Sequence, residues 1–237
     1  MSHINVLKSE KTRKRGNMKD RAQSFPFYEQ LSEAGKEVLS RSVCERTFPR
    51  GAEVSRGECA GLLLVSEGRL RAYTMSAEGR EITLYRLGAG EVCLFSASCA
   101  VQGMRADIFV RAEADTRVLL LPPEVYRSLS ERELAVSSFT ASLTARRLSD
   151  VLWVLDEVLN KKFDARLAAL LLEEAGYAGS GTVHTTHEKL AAHLGTVREA
   201  VSRMLRYFEE EGYVSLFRGG VRIEDEPALA ALAAERK

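Results

Sequence analysis

Two short amphipathic segments that meet at a single glycine constrain this chain more than any other feature. Residues 186–208 place apolar side chains at helical spacing on both sides of Gly195. This pattern predicts two short helices joined by a tight turn, where glycine accepts a positive φ. The predicted buried stripes are Leu190, Ala191 and Leu194 on the first helix and Val201, Met204, Leu205 and Phe208 on the second. Thr196 is predicted to cap the second helix, with Glu199 completing a capping box.

The second helix of this hairpin carries side chains suited to duplex DNA. A helix-turn-helix inserts the N-terminal residues of its second helix into the major groove. Arginine pairs with guanine there, and glutamate accepts a hydrogen bond from cytosine. Residues 213–223 add a predicted β-hairpin with a Gly-Gly turn, as in a winged helix, whose tip would contact phosphate. The predicted DNA contacts are Thr186, Thr196, Val197, Arg198, Glu199, Ser202, Arg203 and Arg218. An ordinary helical hairpin with solvated charges is the alternative.

Composition places few limits on the function. The chain has 237 residues, 45% of them hydrophobic, and a formal net charge of +1. Any basic surface for DNA must therefore be local. The sequence contains no apolar run of about 20 residues and no export signal, so we expect a cytoplasmic protein with no membrane partner and reduced cysteines.

The N-terminal half changes from a basic segment to strand-like patterns. We expect residues 1–23 to form a flexible tail, with DNA-backbone contact as the alternative. A short helix is predicted over 27–43, with Leu31, Val38 and Leu39 on one face. Between residues 47 and 121, short apolar runs separated by glycines predict an antiparallel barrel or jelly roll with room for a small ligand. The predicted strands are 61–65, 68–73, 81–87, 108–112 and 116–121.

A long helix is predicted over 134–161. Its apolar residues have coiled-coil spacing, which favours pairing with a second copy over packing on its own barrel. The predicted dimerisation residues are Leu148, Val151, Leu152, Leu155, Val158 and Leu159. Asp164 is predicted to cap the next helix, 165–175, and 176–181 to form a loop. The fold class is thus α+β, divided into a tail (1–23), a β-roll sensor (24–133), a dimerisation helix (134–161) and a winged helix (162–237).

This order of elements resembles the Crp/Fnr family of transcription regulators. The most specific matches are residues 90–95, 145–148 and 196–203, the last corresponding to the recognition helix of the family. The resemblance implies a homodimer on a pseudo-palindromic operator, with Arg198, Glu199 and Arg203 reading bases beside Ser202. RNA polymerase is a candidate partner.

The resemblance also locates an effector pocket in the β-roll. The predicted pocket residues are Glu91, Cys93, Phe95, Ser96, Ser98, Cys99, Arg105, Val151 and Leu152. Cyclic AMP, the usual ligand of the family, is disfavoured here. Asp107 follows Arg105 where a phosphate would lie, and Val151-Leu152 replace the hydroxyls that grip adenine, leaving polar groups unpaired at roughly 1–3 kcal/mol. The ligand is then apolar or aromatic, absent, or replaced by a redox signal, and the cofactor is unknown.

The cysteines and histidines suggest further sensors. Spacing of the cysteines argues against an iron–sulfur cluster. Cys93 and Cys99 are candidate thiolate ligands of haem or candidate redox-active thiols, although burial of both in the core is the favoured interpretation. We expect His184, His187 and His193 to contact phosphate or solvent. A cupin-like metal enzyme and a nucleotide-binding module without DNA binding remain the alternatives. In the favoured hypothesis a signal reaches the helix near residues 151–155, including Trp153, and reorients the recognition helices through a hinge at 160–164.

Overall fold

A computed structural model describes residues 18–56, 60–77, 79–94 and 108–235. The N-terminal half contains helices and two antiparallel sheets, and the C-terminal half is mostly helical. The elements before the long helix are α1 (Met18–Gln23), α2 (Glu33–Ser42), β1 (Cys44–Phe48), β2 (Glu53–Arg56), β3 (Leu62–Glu67), β4 (Leu70–Met75), β5 (Glu81–Leu87), β6 (Val92–Cys93), β7 (Phe109–Ala112), β8 (Thr116–Leu121) and α3 (Pro123–Arg132). Those that follow are α4 (Leu134–Asn160), α5 (Phe163–Ala178), β9 (Thr182–Val183), α6 (His187–Leu194), α7 (Arg198–Glu210), β10 (Val214–Phe217), β11 (Gly220–Ile223) and α8 (Glu226–Ala233).

The predicted antiparallel β-domain is confirmed. One sheet has the order β1-β8-β3-β6 and the other the order β2-β7-β4-β5. Alternate side chains of β3, β4, β5, β7 and β8 point between the sheets and form a buried core that includes Leu63, Leu70, Leu87, Val110 and Val118. The apolar alternation seen in the sequence is thus the inner face of a two-layer sandwich. Strands β5 and β8 have the predicted bounds.

The N-terminal segment differs from the prediction. Residues 18–23 are helical, Ala22 is buried, and Arg21 lies 3.3 Å from Glu45. The expected flexible tail is therefore wrong for this part, and residues 1–17 lie outside the described chain. The predicted helix over 27–43 is a short 3-10 turn at Tyr28–Gln30 followed by α2. Leu31 and Leu39 are buried as predicted, but Val38 is 44% exposed because it lies on the outer side of α2.

Helix α4 links the two halves and buries only one side. Val136, Leu143, Arg147 and Glu157 face the rest of the same chain. The predicted leucine row lies on another face, and its members are 51–59% exposed: Leu148, Leu152, Leu155 and Leu159. No helix within the described residues is long and apolar enough to cross a bilayer.

Helix α5 begins earlier and ends later than predicted. It starts at Phe163 after Lys162, so Asp164 lies in the first turn, where its carboxylate accepts a hydrogen bond from the amide of Ala165 at 2.8 Å. The capping prediction for Asp164 is therefore wrong. The helix also continues through Gly176 to Ala178, and Gly179 ends it with a left-handed φ of 63°.

The helix-turn-helix is confirmed, with one correction at its turn. Gly195 has a φ of 68° and ends α6, as predicted. The N-cap of α7 is Val197 and makes no side-chain cap, whereas the amide of Thr196 donates to the carbonyl of Ala191 at 3.0 Å. Thr196 therefore closes the end of α6 instead of capping α7. The predicted stripes of both helices pack with α5, α8 and the sheet β10-β11-β9 in a second core.

Candidate nucleic-acid interface and sensor contacts

The outer face of α7 exposes several of the predicted DNA contacts to solvent. Val201, Leu205 and Phe208 are fully buried beneath it, which fixes the helix on its own core. The side chains of Arg198, Glu199 and Arg203 are exposed, and Val197 is also exposed at the start of the helix. This arrangement offers two guanidinium groups and a carboxylate from a rigid support, as major-groove readout requires.

Two hydrogen-bonded groups orient the first turn of α7. Arg198 pairs with Glu188 of α6 at 2.9 Å, although both side chains remain more than half exposed. The hydroxyl of Ser202 donates to the carbonyl of Arg198 at 3.0 Å and lies 2.7 Å from Nδ1 of His187. Ser202 therefore braces α7 against α6, and its hydroxyl already has partners within the chain.

The remaining predicted contacts lie at both ends of the hairpin. The hydroxyl of Thr186 accepts from the amide of Lys189 at 3.3 Å and caps α6. Arg218 is exposed in the turn between β10 and β11, where Phe217 pairs with Gly220. A Cβ at Gly220 would lie 2.6 Å from the backbone carbonyl of Val183 and 2.3 Å from the ring of Phe217, so the hairpin needs glycine at this position. The wing thus presents Arg218 outward.

The predicted effector pocket is described only in part. Phe95, Ser96, Ser98, Cys99 and Arg105 lie outside the described residues. The carboxylate of Glu91 accepts a hydrogen bond from the amide of Gly88 at 2.7 Å. Cys93 is buried and pairs with Leu63 across β3 and β6, so it occupies a core position. Val151 is half-buried and Leu152 is exposed on α4.

Arg147 and Tyr85 form a polar site beside this region that the sequence interpretation missed. The guanidinium of Arg147 lies 4.4 Å from the ring centroid of Tyr85, donates to Asp150 at 2.9 Å and to the carbonyl of Val92 at 3.3 Å. Its buried Nε has no hydrogen-bond partner among the described residues. Burial raises the pKa of Tyr85 well above its usual value, so the phenol stays neutral.

The β-sandwich also contacts the helix-turn-helix directly. Ile82 of β5 makes an isolated antiparallel bridge with Leu194 at the end of α6. Arg71 donates to the carbonyl of Ala192 at 3.2 Å, and a Cβ at Gly195 would lie 2.5 Å from the side chain of Ile82. The glycine at the turn therefore serves both the positive φ and this close approach.

His193 lies at the centre of this junction, which makes the expected solvated role wrong. Its Nδ1 is 2.7 Å from the hydroxyl of Thr83 and 3.2 Å from Arg86. Burial, followed by the charges of Arg86 and Arg71, lowers the pKa of His193 to about 2. The imidazole is therefore neutral, and its 3.6 Å approach to Glu113 is not an ion pair. No pattern in the sequence indicates this contact, because β5 and α6 lie far apart along the chain.

The fold combines an antiparallel β-sandwich, a long helix and a helix-turn-helix whose second helix exposes charged residues, an arrangement typical of DNA-binding proteins. Residues 165–232 match the model of the Crp-like helix-turn-helix domain. The cyclic AMP receptor protein of Thermus thermophilus is 34% identical over 190 residues, covering 79% of this chain and 87% of that protein. A crystal structure assigned to the Crp/Fnr family, from Eubacterium rectale, is 39% identical with a TM-score of 0.88, covering 90% of this chain and all of that one.

The chain therefore belongs to the Crp/Fnr family and is a DNA-binding transcription regulator, not an enzyme. The c-di-GMP-responsive regulator Clp of Xanthomonas campestris shares the fold, with a TM-score of 0.69 over 82% of this chain and all of that one, at 17% identity. The predicted family and fold class are thus confirmed.

Proposed function

We propose that this regulator acts as a homodimer that pairs along α4 and reads a pseudo-palindromic operator with α7. The supporting observation is the row of half-exposed leucines on α4, which would stay in water without a partner (Leu148, Leu152, Leu155 and Leu159). Val151 and Val158 flank the row and are partly buried within one chain. A heptad-like row of this kind suits a parallel pair of helices. Two recognition helices would then face two half-sites of one operator.

In this proposal Arg198, Glu199 and Arg203 read base edges, and Arg218 contacts phosphate. Val197 and Thr196 lie at the edge of the same surface, while Thr186 and Ser202 hold the hairpin that carries the readers. The support is exposure of the three readers above a stripe of buried side chains on α7. Each arginine that pairs bidentately with guanine should add about 1–3 kcal/mol of discrimination.

Selection of bound sequences from a random DNA library, followed by fluorescence anisotropy, tests this assignment. Arg203→Ala should weaken binding to the selected operator about tenfold to hundredfold and relax preference at one base pair per half-site. Arg132→Ala removes an exposed arginine from α3 and is the matched control. An Arg203→Ala protein that keeps the sequence preference of the wild type would refute this choice of reader.

The effector is proposed to bind between the β-sandwich and α4, beside Arg147, and to differ from cyclic AMP. The apolar side chains of Val151 and Leu152 offer adenine no hydrogen bond, and the Nε of Arg147 is buried without a partner among the described residues. The Thermus relative is named for cyclic AMP and the Xanthomonas neighbour for cyclic di-GMP, so the fold serves more than one effector. Calorimetric titration with cyclic AMP tests whether the effector differs from this nucleotide. Saturable micromolar binding would overturn this part of the proposal.

The other parts of the proposal follow from this scheme. Apart from α1, which packs on the folded part, the proposed division is a sensor (24–133), a dimer helix (134–161) and a DNA-binding region (162–237). A protein that reads DNA in this way would act in the cytoplasm and meet RNA polymerase at promoters. A redox signal through Cys99 is the second candidate stimulus. It predicts that oxidation changes operator affinity, and Cys99→Ser should abolish that change.

A further inference from the structure

His193 occupies the point where α6 meets β5. Its side chain is only 12% exposed, with Nδ1 2.7 Å from Oγ1 of Thr83. Nη2 of Arg86 lies 3.2 Å from each ring nitrogen. The same Arg86 reaches α5, pairing with Glu173 at 2.7 Å and Glu174 at 2.5 Å. One histidine and one arginine thus connect a sensor strand to two helices of the DNA-binding half.

The charged groups around His193 disfavour a further positive charge at this site. Arg69, Arg71 and Arg86 face it from the β-sandwich, and Lys189 faces it from α6. The nearest carboxylate, Glu113, is already paired with Arg69 at 3.0 Å and with Arg86 at 3.1 Å. Glu173 and Glu174, on α5, are both paired with Arg86. A proton on His193 would therefore add a positive charge to a buried site whose carboxylates are in use.

We propose that His193 is a positioning residue, which holds the helix-turn-helix against β5 while neutral and releases it on taking up a proton. The inference rests on the proposed reading of DNA by Arg198, Glu199 and Arg203. These side chains stay exposed while α6 is docked. Docking therefore gives the readers a fixed orientation without covering them, and release adds freedom that DNA binding must remove again. Acid should weaken operator binding through this residue.

The direction of the pH dependence follows from the two states of the imidazole. The docked His193, with its pKa lowered to about 2, stays neutral, whereas the released side chain returns to about 6.5. The released state binds the extra proton, so docking is complete well above pH 6.5 and is lost as the pH falls below it. The docking equilibrium constant should fall about twofold at pH 6.5 and about tenfold at pH 5.5.

Hydrogen exchange of the full-length protein measures docking without DNA. Peptides covering β5 and α6 are followed from pH 7.5 to 5.5, with rates corrected for intrinsic exchange. Protection there should fall about tenfold in the wild type. His193→Gln keeps hydrogen-bonding groups but takes up no proton, so its protection should not change with pH beyond that of the other peptides. His184→Gln replaces an exposed histidine outside α6, so it is the matched control and should behave as the wild type does.

Two results would overturn the proposal in distinguishable ways. Equal loss of protection in the wild type and in His193→Gln would show that His193 is not the group that takes up the proton. Release confirmed by exchange, with the same pH dependence of operator affinity in both proteins, would refute the link to DNA binding. An Arg203→Ala protein that keeps the sequence preference of the wild type, with the exchange effect intact, would instead refute the proposed readers.

A second variant tests the proposal independently if His193→Gln does not fold. Thr83→Val preserves the shape of the side chain and removes two contacts of the hydroxyl, the one with Nδ1 of His193 at 2.7 Å and the hydrogen bond that Nε of Arg71 donates to it at 2.7 Å. It should weaken docking at pH 7.5 and move the midpoint of release closer to pH 6.5. The imidazole signal of His193, assigned by its absence in His193→Gln, follows that midpoint by NMR. An unchanged midpoint in a folded Thr83→Val protein would contradict the proposal.

Discussion

Replacing two leucines of the α4 row tests dimer formation in the most direct way. Leu152 and Leu155 are 54% and 51% exposed, so roughly half of each side chain remains to be buried. Full burial of a leucine contributes about 2 kcal/mol, which leaves about 1 kcal/mol for each of these side chains. The double variant Leu152→Ala/Leu155→Ala changes four side chains in a dimer and should cost about 4 kcal/mol. The dimer dissociation constant should rise about thousandfold.

Sedimentation equilibrium over nanomolar to micromolar concentrations measures this constant. Alanine has the highest helix propensity, and the replaced side chains are exposed in the single chain, so α4 itself should remain folded. Circular dichroism checks this directly. Val38→Ala is the matched control, because it removes a partly exposed apolar side chain from α2. A double variant that dimerises within about threefold of the wild type would refute pairing through this row.

Three further predictions concern the helix-turn-helix. Gly195→Ala should lower the melting temperature and operator affinity, because its φ is 68° and its Cβ would lie 2.5 Å from Ile82; Ile82→Ala should restore part of both losses, and no rescue would argue against this contact. Thr186→Ala should destabilise the C-terminal half by about 1 kcal/mol in urea unfolding, through loss of the α6 cap. Glu188→Gln should release Arg198 and strengthen binding to random DNA more than to the operator. Anisotropy in increasing salt measures this ratio, and an unchanged ratio would contradict the restraint.

The spacing of apolar residues predicted the elements in which those residues recur on one face. The bounds of β5 and β8 followed from apolar residues that face the core of the β-sandwich. Nearly the whole of α4 followed from a leucine row that is exposed in the single chain. The exposed face of α7 followed from the same spacing, because its buried stripe leaves the charged residues outside. Periodicity failed for Val38, which points to solvent although the next residue on α2, Leu39, is buried.

Helix ends were less predictable than helix faces. Asp164 and Thr196 have side chains typical of N-caps, yet α5 begins before the first and α7 after the second. In each case tertiary contacts overrode the preference of the residue for the N-cap position. Phe163 adds a partly buried ring to the second core, and the amide of Thr196 is taken by the carbonyl of Ala191. A cap residue marks a possible start, and the core decides which start is used.

The junction between β5 and α6 could not be predicted from either segment alone. His193 lies on a helix whose other face is buried, so its own segment indicates a solvent-facing residue. Only the fold brings Thr83 and Arg86 to it across about 110 residues of chain. The helix-turn-helix thus has three faces: one packs on its own core, one contacts β5, and one carries the proposed readers. Substitutions in β5 should therefore change operator affinity although β5 carries none of the proposed readers, because the strand fixes the orientation from which they act.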